Sequence, residues 1–340
     1  MKEKLKISLI SFDNWNYDKE IVIALSKKNI EATHLNIGAY KHKNNFQRLK
    51  NVFFKVFFNK NLKFKNRQEY ILKTLTKLGH QDQILVLNPD LIDFEYHKKI
   101  KQHTNRYIAY LYDSIARSMY PIEHLLNGVF DTIYSFDIDD CTIYGFFKMN
   151  NYIYLPESKL ITNLEKKHDV ITISSFDKRF ESINEIANQL KSHKIKFMFI
   201  LIGKNISYKV LKFRFIYWLK HKKSINIDRD IKFQSKKIGL DGLISQYISG
   251  DIILDLVQGK QTGLSFRVFE AMALKKKLIT DNKAIKEYSF FNPANIMVIE
   301  KNKIKLDTNF FNSPYQEIDN NIYEEYIIDS WVNTVFELNN

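Results

Sequence analysis

Short apolar runs, separated by stretches with helical spacing, decide what this chain can fold into. KISLISF (6–12), ILVLN (84–88), YIAYLY (107–112) and TIYSF (132–136) form one series. VITIS (170–174), FMFILI (197–202) and IILDL (252–256) form a second. These runs are continuous rather than alternating, so each reads as a strand buried on both faces. Weaker strands are predicted at 32–37, 152–155, 231–233, 277–280 and 296–299. Helical periodicity marks 18–29, 68–78, 181–191, 240–248, 266–274 and 323–338, the last holding Trp331 and Phe336.

Strand and helix in alternation imply an α/β fold with parallel sheets. Two series in 340 residues imply two Rossmann-like domains facing a cleft. The first would span 1–156, with a terminal helix at 323–340 packed back on it. The second would span 168–320, after a polar connection at 157–167.

What the sequence lacks weakens the dehydrogenase, P-loop NTPase, zinc-hydrolase and α/β-hydrolase readings. The ten glycines never fall as GxG, and Gly259–Gly263 has neither the spacing nor the Lys of a Walker loop. No HExxH or GxSxG occurs. Cys141 is the one cysteine, so neither an intrachain disulfide nor a cysteine zinc site can form. The apolar run at the start is short and broken by Asp13 and Asn14, a poor signal peptide, and no 18-residue apolar run exists. The expected location is therefore a reducing cytoplasm. The formal charge of +14 favours acidic partners.

The most informative stretch is 251–280, DIILDLVQGKQTGLSFRVFEAMALKKKLIT. A strand leads into a loop with Gly259 and Gly263, and a helix follows with Ser265 as its N-cap. Phe266, Phe269, Met272 and Ala273 form one face of that helix; Arg267, Glu270 and Leu274 form another. A helix N-terminus after such a loop can hold a phosphate. Gly263-x-Ser265-x-Arg267-x-x-Glu270-Ala-Met-Ala273, with Leu278-Ile279 beyond, resembles the donor-site helix of GT-B glycosyltransferases. The closest likeness is to bacterial enzymes of surface-polysaccharide and lipopolysaccharide assembly. The resemblance implies that Glu270 bonds the ribose or sugar of a nucleotide-sugar, and that the loop and Arg267 hold its diphosphate. Two positions depart from the pattern. Thr262 stands where many retaining members carry an acid, which leaves retaining chemistry unsupported. Lys275 replaces the usual Gly after the Ala-Met-Ala. Without a ligand, Glu270 would simply pair with Arg267 in a core helix.

Other candidates follow strand ends, where open α/β sheets bind ligands. Lys178, Arg179 and Lys204 suit a diphosphate leaving group. Asp113 and Asp13 are candidates for the base that takes the acceptor proton, with a helix N-cap as the structural alternative for Asp113. Asp137-Ile-Asp139-Asp140 contains a DxD, read as an acidic helix start rather than a metal site.

Residues 41–67 carry nine Lys or Arg and no acid, with Phe46, Phe53, Phe54, Phe57, Phe58 and Phe64 between them. Residues 204–223 carry seven and no acid, around Phe213, Phe215, Tyr217 and Trp218. Such mixtures suit peripheral contact with an anionic membrane, at the inner face of the plasma membrane. Alternatively, the charges are solvated helix faces and the aromatics are core; nucleic acid is the third reading. The sequence thus points to a metal-independent glycosyltransferase (hexosyltransferase-like), needing no cofactor beyond the nucleotide-sugar co-substrate, with a glycan or lipid-linked acceptor and no nucleic acid. The alternatives are a nucleotide-sugar epimerase of the same fold and a non-catalytic basic protein binding nucleic acid or envelope polymer.

Overall fold

A computed structural model describes residues 4–13, 17–38, 44–58, 61–118, 120–155, 165–236, 238–301 and 303–338. The predicted connection at 157–167 falls largely outside them. The chain divides into two compact units, Met1–Asn150 with Ile328–Asn340, and Asn151–Ile327.

The first unit holds strands β1 (Lys6–Ser11), β2 (Glu31–Asn36), β3 (Gln81–Leu87), β4 (Thr104–Leu111), β5 (Thr132–Ser135) and β6 (Phe147–Lys148). They form one parallel sheet in the order β2-β1-β3-β4-β5-β6. Ile7, Leu9, Ile84, Leu85, Tyr107 and Ile108 are fully buried, as continuous apolar strands require. Chain order reverses between β1 and β3, so a crevice opens past their carboxyl ends.

The second unit holds β7 (His168–Ser175), β8 (Phe197–Ile202), β9 (Ile231–Gln234), β10 (Gly250–Asp255), β11 (Lys277–Thr280) and β12 (Ile296–Val298). Their order, β12-β11-β10-β7-β8-β9, is the doubly wound arrangement, again all parallel. Its switch point lies between β7 and β10. Gly250 is needed where these two strands meet: a Cβ there would lie 2.9 Å from the Ile171 side chain.

Three sequence expectations need correction. The terminal helix is two pieces, Asn320–Glu324 and Ile328–Phe336. Only the latter lies in the first unit, burying Trp331, Val332, Val335 and Phe336. Trp331 Nε1 donates to the Asn150 carbonyl (3.0 Å), and the Phe336 and Val335 carbonyls accept from Gln83 (2.9 Å) and Arg106 (3.1 Å). Second, 152–155 is not a strand closing the first domain. It lies in the second unit and makes one bridge, Ile153 to Ile327. Third, the alternative that placed the 41–67 aromatics in the core does not hold. The helix Asn45–Phe58 buries no residue, and Phe46, Phe53, Phe57 and Phe58 are exposed. Residues 41–43, 59 and 60 lie outside the described residues.

Candidate functional site

The second unit gathers most of the predicted residues at its switch point. Ser265 caps the helix Phe266–Ala273, its hydroxyl accepting from the Arg267 N–H (3.2 Å). That cap aims Arg267 back toward the sheet. Its Nε donates to Asp255 Oδ1 at the end of β10 (2.7 Å), and Nη1 reaches the Ile173 carbonyl of β7 (3.4 Å). Arg179 makes a second bridge, from Nη1 to the Leu256 carbonyl just past β10 (2.7 Å), while Nη2 pairs with Asp177 (2.6 Å). Both guanidinium groups therefore span the β7–β10 crevice, and both act on Asp177, lowering its pKa against the opposing effect of burial. Burial of Arg267 lowers its own pKa, but Asp255, Tyr247 and Glu270 outweigh that and hold it above the ordinary value.

Glu270 sits one turn further along and is 1% exposed. The Tyr154 hydroxyl donates to its Oε1. Its Oε2 and the neighbouring strand's Ser174 hydroxyl are buried without a hydrogen-bond partner among the described residues. Burial raises the Glu270 carboxyl from 4.5 to about 7, even with hydrogen bonds from Tyr154 and Tyr247 and the Arg267 charge drawing it down. A carboxyl at this value can exist in either protonation state near neutrality, so it can accept or donate at the same atom.

The loop before the helix is held by buried amides. Asn282 Nδ2 donates to the Thr262 and Gly263 carbonyls (3.1 Å each), and Asn151 Nδ2 to the Leu264 carbonyl (2.9 Å). The two side-chain amides thus fix the course of the backbone from Thr262 to Ser265 into the helix. Lys178 and Lys204 are exposed, and among the described residues neither makes an ion pair. They lie on the surface and are not part of the buried cluster.

In the first unit the two predicted carboxylates have different partners. Asp13, past β1 with φ 39°, accepts from the Asp18 N–H (3.2 Å). Asp18 is buried, accepts from the Tyr112 hydroxyl (3.2 Å), and burial with the Asp13 charge raises it to about 7. Ser11 and His34 Nε2 lie 2.9 Å apart beside it. Asp113, past β4, pairs with Arg117. It is no helix cap: the Ile115 N–H donates to Asp140 instead (3.0 Å). Burial, then the charge of Asp113, raises Asp90 to about 6. Asp137 caps the helix Ile138–Tyr144, accepting from the Asp139 N–H (3.2 Å), as the acidic-start reading of the DxD requires.

Sequence reasoning missed Asp255, Asp177, Asn282, Tyr154 and Asp18. Asp255 and Asp177 had a usable signal, each being an acid at a strand's carboxyl end. Tyr154 had none, because its partner is 116 residues away.

Neither a protein-family model nor a curated protein matches the sequence. Solved structures do match in shape. An α-glucosyltransferase in complex with UDP and DNA aligns with 98% of this chain and 95% of its own, at TM-score 0.58 and 11% identity. The UDP-forming α,α-trehalose-phosphate synthase of Burkholderia xenovorans covers 98% of both chains at TM-score 0.58 and 11% identity. The UDP-N-acetylglucosamine 2-epimerase of Rickettsia bellii covers 99% and 97% at TM-score 0.55 and 13% identity. The chain has the GT-B fold. GT-B architecture accounts for the two doubly wound units and for a candidate site at the switch point of the second. It does not choose between transfer and epimerisation, since proteins of both kinds share it.

Proposed function

We propose that this GT-B chain is a glycosyltransferase, moving a hexose-type sugar from a nucleotide-sugar to a glycan or lipid-linked acceptor. The acceptor class fits surface-polysaccharide or lipopolysaccharide assembly on the cytoplasmic side of the plasma membrane. One observation carries the reading: Glu270 Oε2 is buried and unpartnered beside Arg267 at the β7–β10 switch point. A buried polar atom left unpaired costs about 1–3 kcal/mol. A ribose or sugar hydroxyl donating to that oxygen would remove the cost.

In this reading the 262–265 loop, Arg267 and Arg179 receive the diphosphate, with Lys178 and Lys204 at the rim, and no metal is needed. Because Asp255 and Asp177 already neutralise the two arginines, their contribution is direction more than net charge. Asp13, beside Asp18, or Asp113 takes the acceptor proton. Asp18 beside Asp13 is the better placed, since burial and then the Asp13 charge raise Asp18 to about 7, where it can take up and release a proton near neutral pH. Nucleic acid is not the proposed partner.

The test is thermal stabilisation by a panel of nucleotide-sugars, UDP-linked sugars first. A ligand at 100 times its Kd adds about 2.7 kcal/mol. If none stabilises the protein and none is consumed, the donor site does not exist. Epimerisation is the second reading, favoured by the Rickettsia bellii likeness; it requires an isomerised nucleotide-sugar without any acceptor.

A further inference from the structure

The two basic-aromatic segments form helices that turn apolar side chains away from their own domains. In Asn45–Phe58, Val52, Val56, Leu49, Phe53, Phe46 and Phe57 fall within an arc of about 140° at 3.6 residues per turn. All six are exposed, Phe57 by 68%. The opposite side holds the half-buried Gln47, Asn51 and Phe54, with Phe58 exposed at its end. Asn51 Oδ1 there accepts from the Lys63 N–H of the next helix, Leu62–Leu78 (2.8 Å). The helix is therefore inverted relative to an ordinary surface helix, whose apolar stripe faces the core. Arg48 and Lys55 border the outward stripe on one side and Lys50 on the other.

Ile206–His221 is apolar on two sides. Ile206 is buried and Phe213 packs edge-on against Phe180 at 4.9 Å, anchoring the inner side. Trp218, Leu211, Phe215, Tyr208 and Leu219 lie within about 100° on the outer side. They are exposed, Phe215 by 59%. Arg214 lies along one border of that stripe, and Lys212 and Lys209 along the other. Neither helix contains an acid.

We propose that each of these helices docks on an anionic lipid bilayer, with its outward apolar side chains inserted among the acyl chains and its bordering Lys and Arg on the headgroups. An apolar centre with a basic border matches an anionic interface in both chemistry and layout. A second copy of the chain would bring like charges together around the stripe. Nucleic acid could stack on the aromatics, but it has no use for Leu49, Val52, Val56, Leu211 or Leu219. No described helix is long and apolar enough to cross a membrane, so the contact is with the surface. The inference does not depend on the reaction proposed above.

The test is flotation of the full chain with vesicles of phosphatidylcholine, alone or mixed with phosphatidylglycerol. Binding is expected to the mixed vesicles and to be far weaker with phosphatidylcholine alone. F53S/F57S and F215S/W218S should each lower partitioning by about tenfold per large apolar side chain removed, with thermal stability unchanged. Failure of the unaltered protein to float with phosphatidylglycerol vesicles would overturn the proposal. Normal flotation of either double variant would remove that helix from the surface. Two further outcomes also refute it: a concentration-dependent dimer, dissociated by these substitutions, in a protein that ignores vesicles, or tight oligonucleotide binding by such a protein.

Discussion

Replacing Glu270 by Gln should make this protein more stable above neutral pH while abolishing donor binding. The carboxyl is 1% exposed, and burial lifts it from 4.5 to about 7. The folded state therefore holds that proton more tightly than the unfolded chain does. Stability from this group is fully present below pH 4.5, falls as pH rises, and is gone above about 7. At about 1.4 kcal/mol per pH unit, the ionised carboxylate costs the fold roughly 3 kcal/mol at pH 8. Gln keeps the shape, keeps a carbonyl to accept from Tyr154, and never ionises. Glu270→Gln should match the unaltered protein near pH 4.5 and exceed it by about 3 kcal/mol at pH 8. For a unit of this size that is a Tm gain of about 6–12 °C. Calorimetric scans at the two pH values measure it directly. A variant less stable at pH 8, or with the same increment at both values, would refute burial as what sets this carboxyl. The second arm is a nucleotide-sugar thermal shift at pH 8, expected to vanish in the variant. A core helix with no ligand would show the stability gain and no lost binding, because there would be none to lose.

Asp255→Asn breaks the buried pair with Arg267 and should cost about 3–5 kcal/mol in denaturant unfolding, leaving an uncompensated guanidinium behind. Asn282→Ala releases the Thr262 and Gly263 carbonyls; it should weaken nucleotide-sugar binding at least about tenfold, the equivalent of about one hydrogen bond's worth of loop order, as measured by calorimetric titration. Asp18→Asn should raise stability by an amount that grows as pH climbs from 3.8 to about 7 and is constant beyond, because burial and then the Asp13 charge hold Asp18 protonated in the fold while the unfolded carboxyl ionises; thermal melts at pH 4 and 8 check this. Phe213→Ala should cost roughly 2 kcal/mol and Phe215→Ala under about 0.5 kcal/mol in the same melts, since the first packs on Phe180 and the second faces outward.

Both sheets were legible in the sequence because a doubly buried strand is a continuous apolar run, and these runs of four to seven are too short for buried helices. The run at 107–112 needs no partner to be recognised; β6, two residues long and at a sheet edge, carries no such signal. The break in the terminal helix was invisible for a different reason. Tyr326 turns its carbonyl to the Ile153 N–H (2.7 Å), so a contact from the far end of the second unit stops the pattern, not a Gly or Pro. The site was legible on its helix, where Arg267 and Glu270 stand three residues apart, and illegible wherever the partner came from another element. Asp255, Asn282 and Tyr154 are of that kind. Periodicity fails most clearly at Asn45–Phe58 and Ile206–His221, where apolar residues face outward and reading them as core is the natural error. A sequence that obeys local rules along two sheets and breaks them at the buried acid of its candidate donor site and at two outward-facing stripes concentrates its unfavourable choices. Each break is costly to the isolated chain. The acid destabilises the fold near pH 7, and the stripes expose Phe and Leu to water. Removing the acid should therefore stabilise the free protein and removing the stripes should leave its stability unchanged, and each should damage one specific interaction, the nucleotide-sugar in the first case and the bilayer in the second.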